Sequence, residues 1–102
     1  LKGEGAAPPL VLWALAHETR SLATLCQGRD GGQPLAALFK AERIFDSRRQ
    51  QMVSRALARL SLGTLRSALM HAARIDRMIK GLLAGDVWDE FLQLALRLAR
   101  RT

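Results

Sequence analysis

The stretch with the most suggestive chemistry is "RIFDSRR", Arg43 to Arg49, in which one phenylalanine lies among three arginines. Guanidinium groups bind anions through paired hydrogen bonds, and an exposed aromatic ring offers a flat platform. Phe45 could therefore face a flat, negatively charged ligand. Alternatively, it could pack as a hydrophobic staple at the start of the next helix, after an Asp46 cap. The stretch by itself leaves both interpretations open.

Other arginines recur at helical spacing on two consecutive predicted helices. The two sets are Arg48, Arg55 and Arg59, and Arg66, Arg74 and Arg77. Each set keeps to one helix face, because its members are separated by nearly whole numbers of turns. Two such faces could follow a phosphate backbone, although an ordinary solvated surface would look the same. Met52 and Met70 lie between these arginines, and we expect them to pack against the core.

Catalytic chemistry finds little support in the sequence. The glycine-rich segment "GRDGGQPL" lacks the Lys-Ser/Thr pair of a nucleotide-binding loop and follows a helix instead of a strand. His17 and His71 have no metal-ligand spacing around them, and we expect His71 to be solvated near Arg74. Asp76 and Lys80 are spaced as a helix-surface ion pair. We therefore expect no enzyme activity, no metal and no cofactor.

Composition favours a polyanion as partner. Lysine and arginine outnumber aspartate and glutamate by 16 to 9, which gives a formal net charge of +7. Arginine-rich usage in a GC-rich genome would explain the same excess. The single cysteine, Cys26, excludes an internal disulfide, fits the reducing cytoplasm and is expected to be a small buried hydrophobe. The longest apolar run, "PPLVLWALA", is too short to span a membrane.

Hydrophobic periodicity predicts an all-α fold, a bundle of about five helices in one domain over residues 1–102. The expected helices are Pro9 to Cys26, Pro34 to Glu42, Asp46 or Ser47 to Leu60, Ser61 to Gly81, and one that starts at Asp86. "GRDGGQ" (28–33) is expected to be a loop. The first helix begins with "LVLWALA", which is apolar all round and should be buried on more than one side.

The last helix has the clearest sequence signals. Asp86 is its expected N-cap, and acidic residues follow in the first turn, at the positive end of the helix dipole. Its buried stripe is expected to contain Val87, Phe91, Leu94 or Ala95, and Leu98. Cations are favoured at its C-terminal end, where Arg97, Arg100 and Arg101 lie.

Three segments in the same order resemble one known family. They are "EGAAPPLVLWALAHETRSLATL", "PLAALFKAERIFDSRRQQMVSRALARLS" and "ARIDRMIKGLLAGDVWDEFLQLAL". They are similar to the C-terminal collar domain of the delta subunit of bacterial DNA polymerase III, part of the clamp loader. The resemblance implies a non-catalytic helical domain that helps to load the sliding clamp onto primed DNA during replication, within a holoenzyme that is a DNA-directed DNA polymerase.

The resemblance also implies partners. In this family the collar domains of delta, delta prime and three gamma or tau subunits form a ring. Two AAA+ domains precede the collar, and the first of them binds the sliding clamp. The start at Leu1 suggests a fragment without those domains. Apolar side chains such as Leu82, Leu83 and Leu96 would then contact neighbouring collars, and accessory replication proteins are a further expected class of partner.

In the same family the single-stranded template passes the collar, and an aromatic residue tends to occupy the position of Phe45. Phe45, Arg48, Arg49 and Arg55 are therefore the candidate nucleic-acid-binding residues. This chain has phenylalanine where relatives often have tryptophan, and it has Leu83 where some have a further aromatic residue. The alternative function is a stand-alone basic helical domain that binds single-stranded DNA.

Overall fold

The computed structural model describes residues 7–99, which form five helices and no strand. The helices are α1 (Pro8–Asp30), α2 (Leu35–Ala41), α3 (Ser47–Arg59), α4 (Leu62–Ile79) and α5 (Val87–Ala99). The predicted all-α bundle is thus confirmed. Within these residues, no helix is both long enough and apolar enough to cross a bilayer.

Helices α1 and α4 form the central antiparallel pair of the bundle. The N-terminal half of α1 and the C-terminal half of α4 share one apolar cluster with α5, which contains Leu12, Ile75 and Leu94. The C-terminal half of α1 meets the start of α4, α2 and α3 in a second cluster, which contains Leu25 and Leu65. The bundle therefore presents α3 and α5 as separate outer helices.

Local capping fixes where three helices begin. The Asp46 carboxylate accepts a hydrogen bond from the Arg49 N–H at 3.0 Å, and the Ser61 hydroxyl accepts one from the Thr64 N–H at 3.1 Å. Asp86 accepts from the N–H groups of the second and third residues of α5. These bonds satisfy backbone donors that have no partner within the helix. The predicted caps are therefore confirmed, and Asp46 is the cap of α3.

The predicted end of α1 was wrong, because the helix continues to Asp30. Gly28 lies inside the helix, where a β-carbon would approach Leu38 Cδ2 to 2.5 Å. Its role is thus close packing of α2 against α1, and it does not end the helix. One residue further on, Arg29 donates a hydrogen bond to the Leu57 carbonyl at 2.6 Å, which ties this last turn to α3.

The start of α1 is less buried than the all-apolar segment predicted. Trp13 keeps 62% of its surface exposed, and Leu10 is similarly exposed. The reason is that, within residues 7–99, only α4 and α5 cover this half of α1, so one side stays exposed. Met52 and Met70, expected to pack, also point outward. On α5, Leu94 is the buried residue and Ala95 is exposed. The predicted Arg100 and Arg101 lie outside the described residues.

Candidate interaction surfaces

The first candidate surface follows α3 and is called here the outer α3 face: Phe45, Arg48, Met52 and Arg55. Arg48, Met52 and Arg55 are spaced by about one turn, so they share one side of the helix. All four residues are exposed, and Phe45 keeps 70% of its surface in solvent. The hydrophobic staple expected as one alternative therefore does not form. Three of the four predicted site residues are thus exposed: Phe45 just before α3, and Arg48 and Arg55 on one side of that helix.

The fourth predicted site residue, Arg49, points to another part of the molecule. Its Nη2 lies 2.6 Å from Glu18 Oε1 on α1. Both side chains are about half exposed, so the pair is worth roughly 0–1 kcal/mol. Arg49 thus links α3 to α1, and it is less available to a ligand on the outer α3 face than Arg48 or Arg55.

One arginine of the stripes expected on α3 and α4 contacts another helix and does not only face solvent. Arg59 Nη1 donates to the carbonyls of Leu98 and Ala99, both at 3.0 Å. These carbonyls belong to the last turn of α5, which lacks intrahelical donors. Arg59 therefore supports the end of α5, a role that spacing along α3 does not reveal. Asp76 and Lys80 form the predicted pair at 2.8 Å.

The expectation that His71 is solvated was wrong. His71 Nε2 lies 2.7 Å from Glu90 Oε1, and the two side chains are only 8% and 18% exposed. Its Nδ1 has no partner among the described residues. The contact joins α4 to α5. It cannot be recognised from the sequence, because the two residues are 19 positions apart. We assign it a structural role in fixing the position of α5.

Cys26 is fully buried, as the sequence predicted. Burial raises the pKa of its thiol, and the nearby Asp30 carboxylate adds to the effect. A buried neutral thiol is a poor nucleophile, since the thiolate is the reactive form. Cys26 therefore serves the core of the bundle.

The second candidate surface is called here the outer α5 face: Leu92, Ala95, Leu96 and Ala99. These residues are all exposed and lie on one side of the helix. A neighbouring side of α5 carries the buried Phe91 and Leu94. A helix that is apolar on two sides ordinarily has neighbours on both. Leu92 and Leu96 retain 58% and 49% exposure, so no element among residues 7–99 covers this second side.

Sequence reasoning named Leu96 as a candidate contact but missed Leu92, the more exposed of the two. The signal was present, because Leu92 and Leu96 are one helical turn apart and avoid the buried stripe. Leu82 and Leu83 are also exposed, as expected, in the connection between α4 and α5.

Sequence reasoning also missed Trp13 and His17 on α1. Their rings are stacked, with centroids 5.0 Å apart and planes 11° from parallel. Their spacing of four residues, which brings side chains together on a helix, is the signal that could have identified the pair.

Comparison with known families gives one match across the chain. The family model described as "Processivity clamp loader gamma complex DNA pol III C-term" matches residues 1–102. Neither a search of curated proteins nor a search of solved structures found a match. The family resemblance in the three sequence segments is thus supported by an independent comparison.

Proposed function

Because the chain belongs to the family of C-terminal domains of the DNA polymerase III clamp loader, we propose that it is the collar domain of a delta subunit. In this role it binds the collars of gamma or tau and of delta prime in the cytoplasm, and it acts by binding and not by catalysis. The AAA+ domains of such a subunit would precede residue 1 and would carry the contact with the sliding clamp.

The observation that carries this proposal is the outer α5 face. It is apolar at four positions spaced for helix packing, and two of its leucines are about half exposed. Lasting contacts between subunits are centred on such apolar surfaces, with charged residues kept to the rim. Asp89, Gln93 and Arg97 lie on the polar side of α5, outside this apolar face. We therefore place one collar contact on the outer α5 face.

A pull-down of the chain with gamma and delta prime, with and without primed DNA, tests the assembly. We expect both subunits to be retained by the wild-type chain. Failure to retain either subunit would refute the scaffold role. A matched pull-down with Gln93→Ala/Arg97→Ala, which changes only the polar side of α5, is expected to retain both.

A second candidate function is binding of single-stranded template DNA by the outer α3 face. Its support is the exposure of Phe45, Arg48 and Arg55, which leaves the Phe45 ring free to stack on an unpaired base. Binding to an oligonucleotide should weaken as salt rises, and Arg48→Ala should lower the slope of log K against log salt by about 0.7. An unchanged slope would remove Arg48 from the contact.

A further inference from the structure

A groove runs between α1 and the segment that connects α2 to the first turn of α3. Its volume is about 430 Å³. Arg20 and Ser21 line it from α1, and Arg43 and Arg49 line it from the facing segment. Three arginines thus converge on one concavity, although Arg20 is distant in sequence from the other two.

Two of these arginines have no acidic partner among residues 7–99. Arg49 is paired with Glu18, and the Glu42 carboxylate accepts a hydrogen bond from the Ser21 hydroxyl at 3.4 Å. Arg20 and Arg43 form no ion pair in the described part of the chain and are exposed. The groove therefore keeps an excess of positive charge, carried by guanidinium groups that suit phosphate oxygens.

The backbone at Arg43 gives a second, independent indication. Its φ is 58°, and it is the only described residue other than glycine with a positive φ. It follows the C-cap of α2, a position at which glycine is strongly favoured because it lacks a β-carbon. An arginine in this conformation is uncommon, and such outliers cluster at binding sites. The conformation places a cationic side chain where the fold would more easily accept glycine.

An aromatic platform adjoins the groove. His17 lines it and stacks on Trp13, whose indole is 62% exposed. Trp13 also lines a neighbouring apolar groove between α1 and α4, and Arg20 belongs to both grooves. A planar base can extend the two-ring stack while its phosphate lies near Arg20.

We propose that this groove is a nucleotide subsite for single-stranded DNA, in which Arg20 and Arg43 bind a phosphodiester group and the Trp13–His17 pair stacks on a base. A single strand suits the surface better than an acidic peptide, because a base can stack on the exposed Trp13 ring. Phe45, which is also exposed, directly follows the lining residue Ile44 in the chain. The subsite rests on the single-strand binding proposed above but uses different residues.

The test uses the 102-residue chain with Trp88→Phe, which leaves Trp13 as its only tryptophan. Addition of a ten-residue oligothymidylate should quench Trp13 fluorescence. Arg20→Ala/Arg43→Gly should weaken binding about tenfold or more and lower the salt slope by about 0.7, since the contact with one phosphate is lost. Glycine at position 43 suits the positive φ, so this variant is expected to fold.

The matched control is Arg74→Ala/Arg97→Ala, which removes the same charge from exposed positions on α4 and α5. We expect it to weaken binding less than about threefold, through the loss of overall field alone. Trp13→Leu, followed by anisotropy of a labelled oligonucleotide, should weaken binding about fivefold or more without changing the salt slope. The subsite would be overturned if the two double arginine variants lost affinity for the oligonucleotide to the same extent. It would also be overturned if inorganic polyphosphate quenched Trp13 fluorescence as strongly as oligothymidylate does.

One more variant separates this inference from the broader proposals. If Arg48→Ala/Arg55→Ala abolishes binding while Arg20→Ala/Arg43→Gly does not, the outer α3 face binds DNA and the groove does not. If the wild-type chain binds no oligonucleotide, both DNA sites fail together. Collar assembly is judged separately, by retention of gamma and delta prime.

Discussion

Truncation of the outer α5 face should weaken subunit association without unfolding the chain. The variant is Leu92→Ala/Leu96→Ala. Complete burial of a leucine side chain is worth about 1.5–3 kcal/mol. Since Leu92 and Leu96 are 58% and 49% exposed, roughly half of that value remains to be gained by each side chain in an interface. The pair should therefore contribute about 1.5–3 kcal/mol, which corresponds to about a 10- to 150-fold change in Kd.

The assay is titration calorimetry of the chain with the gamma collar and, separately, with the delta prime collar. We expect one of the two titrations to weaken by that factor, because a single face meets a single neighbour. Gln93→Ala/Arg97→Ala, on the polar side of the same helix, serves as the control for helix propensity and overall fold. Its Kd should change by less than about threefold.

Circular dichroism distinguishes the loss of a contact from the unfolding of the variant. Both leucines are already about half exposed, so each truncation should cost the fold only about 1 kcal/mol. The helical signal at 25 °C should therefore match that of the wild-type chain. If a folded Leu92→Ala/Leu96→Ala variant binds both collars as tightly as the wild type, the outer α5 face is not the contact and the reasoning fails.

Three further predictions concern the fold. Leu94→Ala should lower the free energy of unfolding by about 2–5 kcal/mol in urea titrations, because Leu94 is fully buried; a loss below about 1 kcal/mol would contradict its place in the core. Gly63→Ala should raise stability by about 0.5–1 kcal/mol, since the atom nearest to the added β-carbon would lie 3.8 Å away. Gly85→Ala should instead lower stability, because φ is 149° there and Met78 Cε would lie 2.7 Å from the added β-carbon. Thermal unfolding of the two glycine variants checks that their stability changes have opposite signs. Cys26 should react slowly with a thiol reagent until the chain unfolds, because its thiol is buried. Burial also raises the pKa of this thiol, so its contribution to stability should fall as pH rises from the ordinary thiol pKa to the raised one. Equal rates in native and unfolded chain would argue against burial of the thiol.

Sequence reasoning succeeded where the physics is local. A cap depends on residues only two or three positions apart, so Asp46, Ser61 and Asp86 were all recognisable. The buried stripe of α5 was recognisable for the same reason, because one helix period fixes it.

It failed where a distant residue decides the outcome. Gly28 looked like a helix end, and only the Leu38 side chain of α2 shows that the glycine serves packing. The pairing of His71 with Glu90 and the contact of Arg59 with the end of α5 likewise join different helices. Exposure of Trp13 was also unpredictable, since an all-apolar segment does not indicate which of its sides will remain uncovered.

The candidate surfaces were partly predictable. Arg48 and Arg55 could be placed on one face from spacing alone, whereas the choice between a packed and an exposed Phe45 required coordinates. The groove with Arg20 and Arg43 required the tertiary fold, because it joins α1 to the segment after α2.

Site-specific photocross-linking tests the collar assignment most directly. A benzophenone amino acid at position 96, on the outer α5 face, should cross-link to gamma or delta prime in the reconstituted clamp loader. The same probe at position 93, on the polar side of α5, should give little product. Cross-linking from position 93 but not from position 96, in a complex that has assembled normally, would contradict the account.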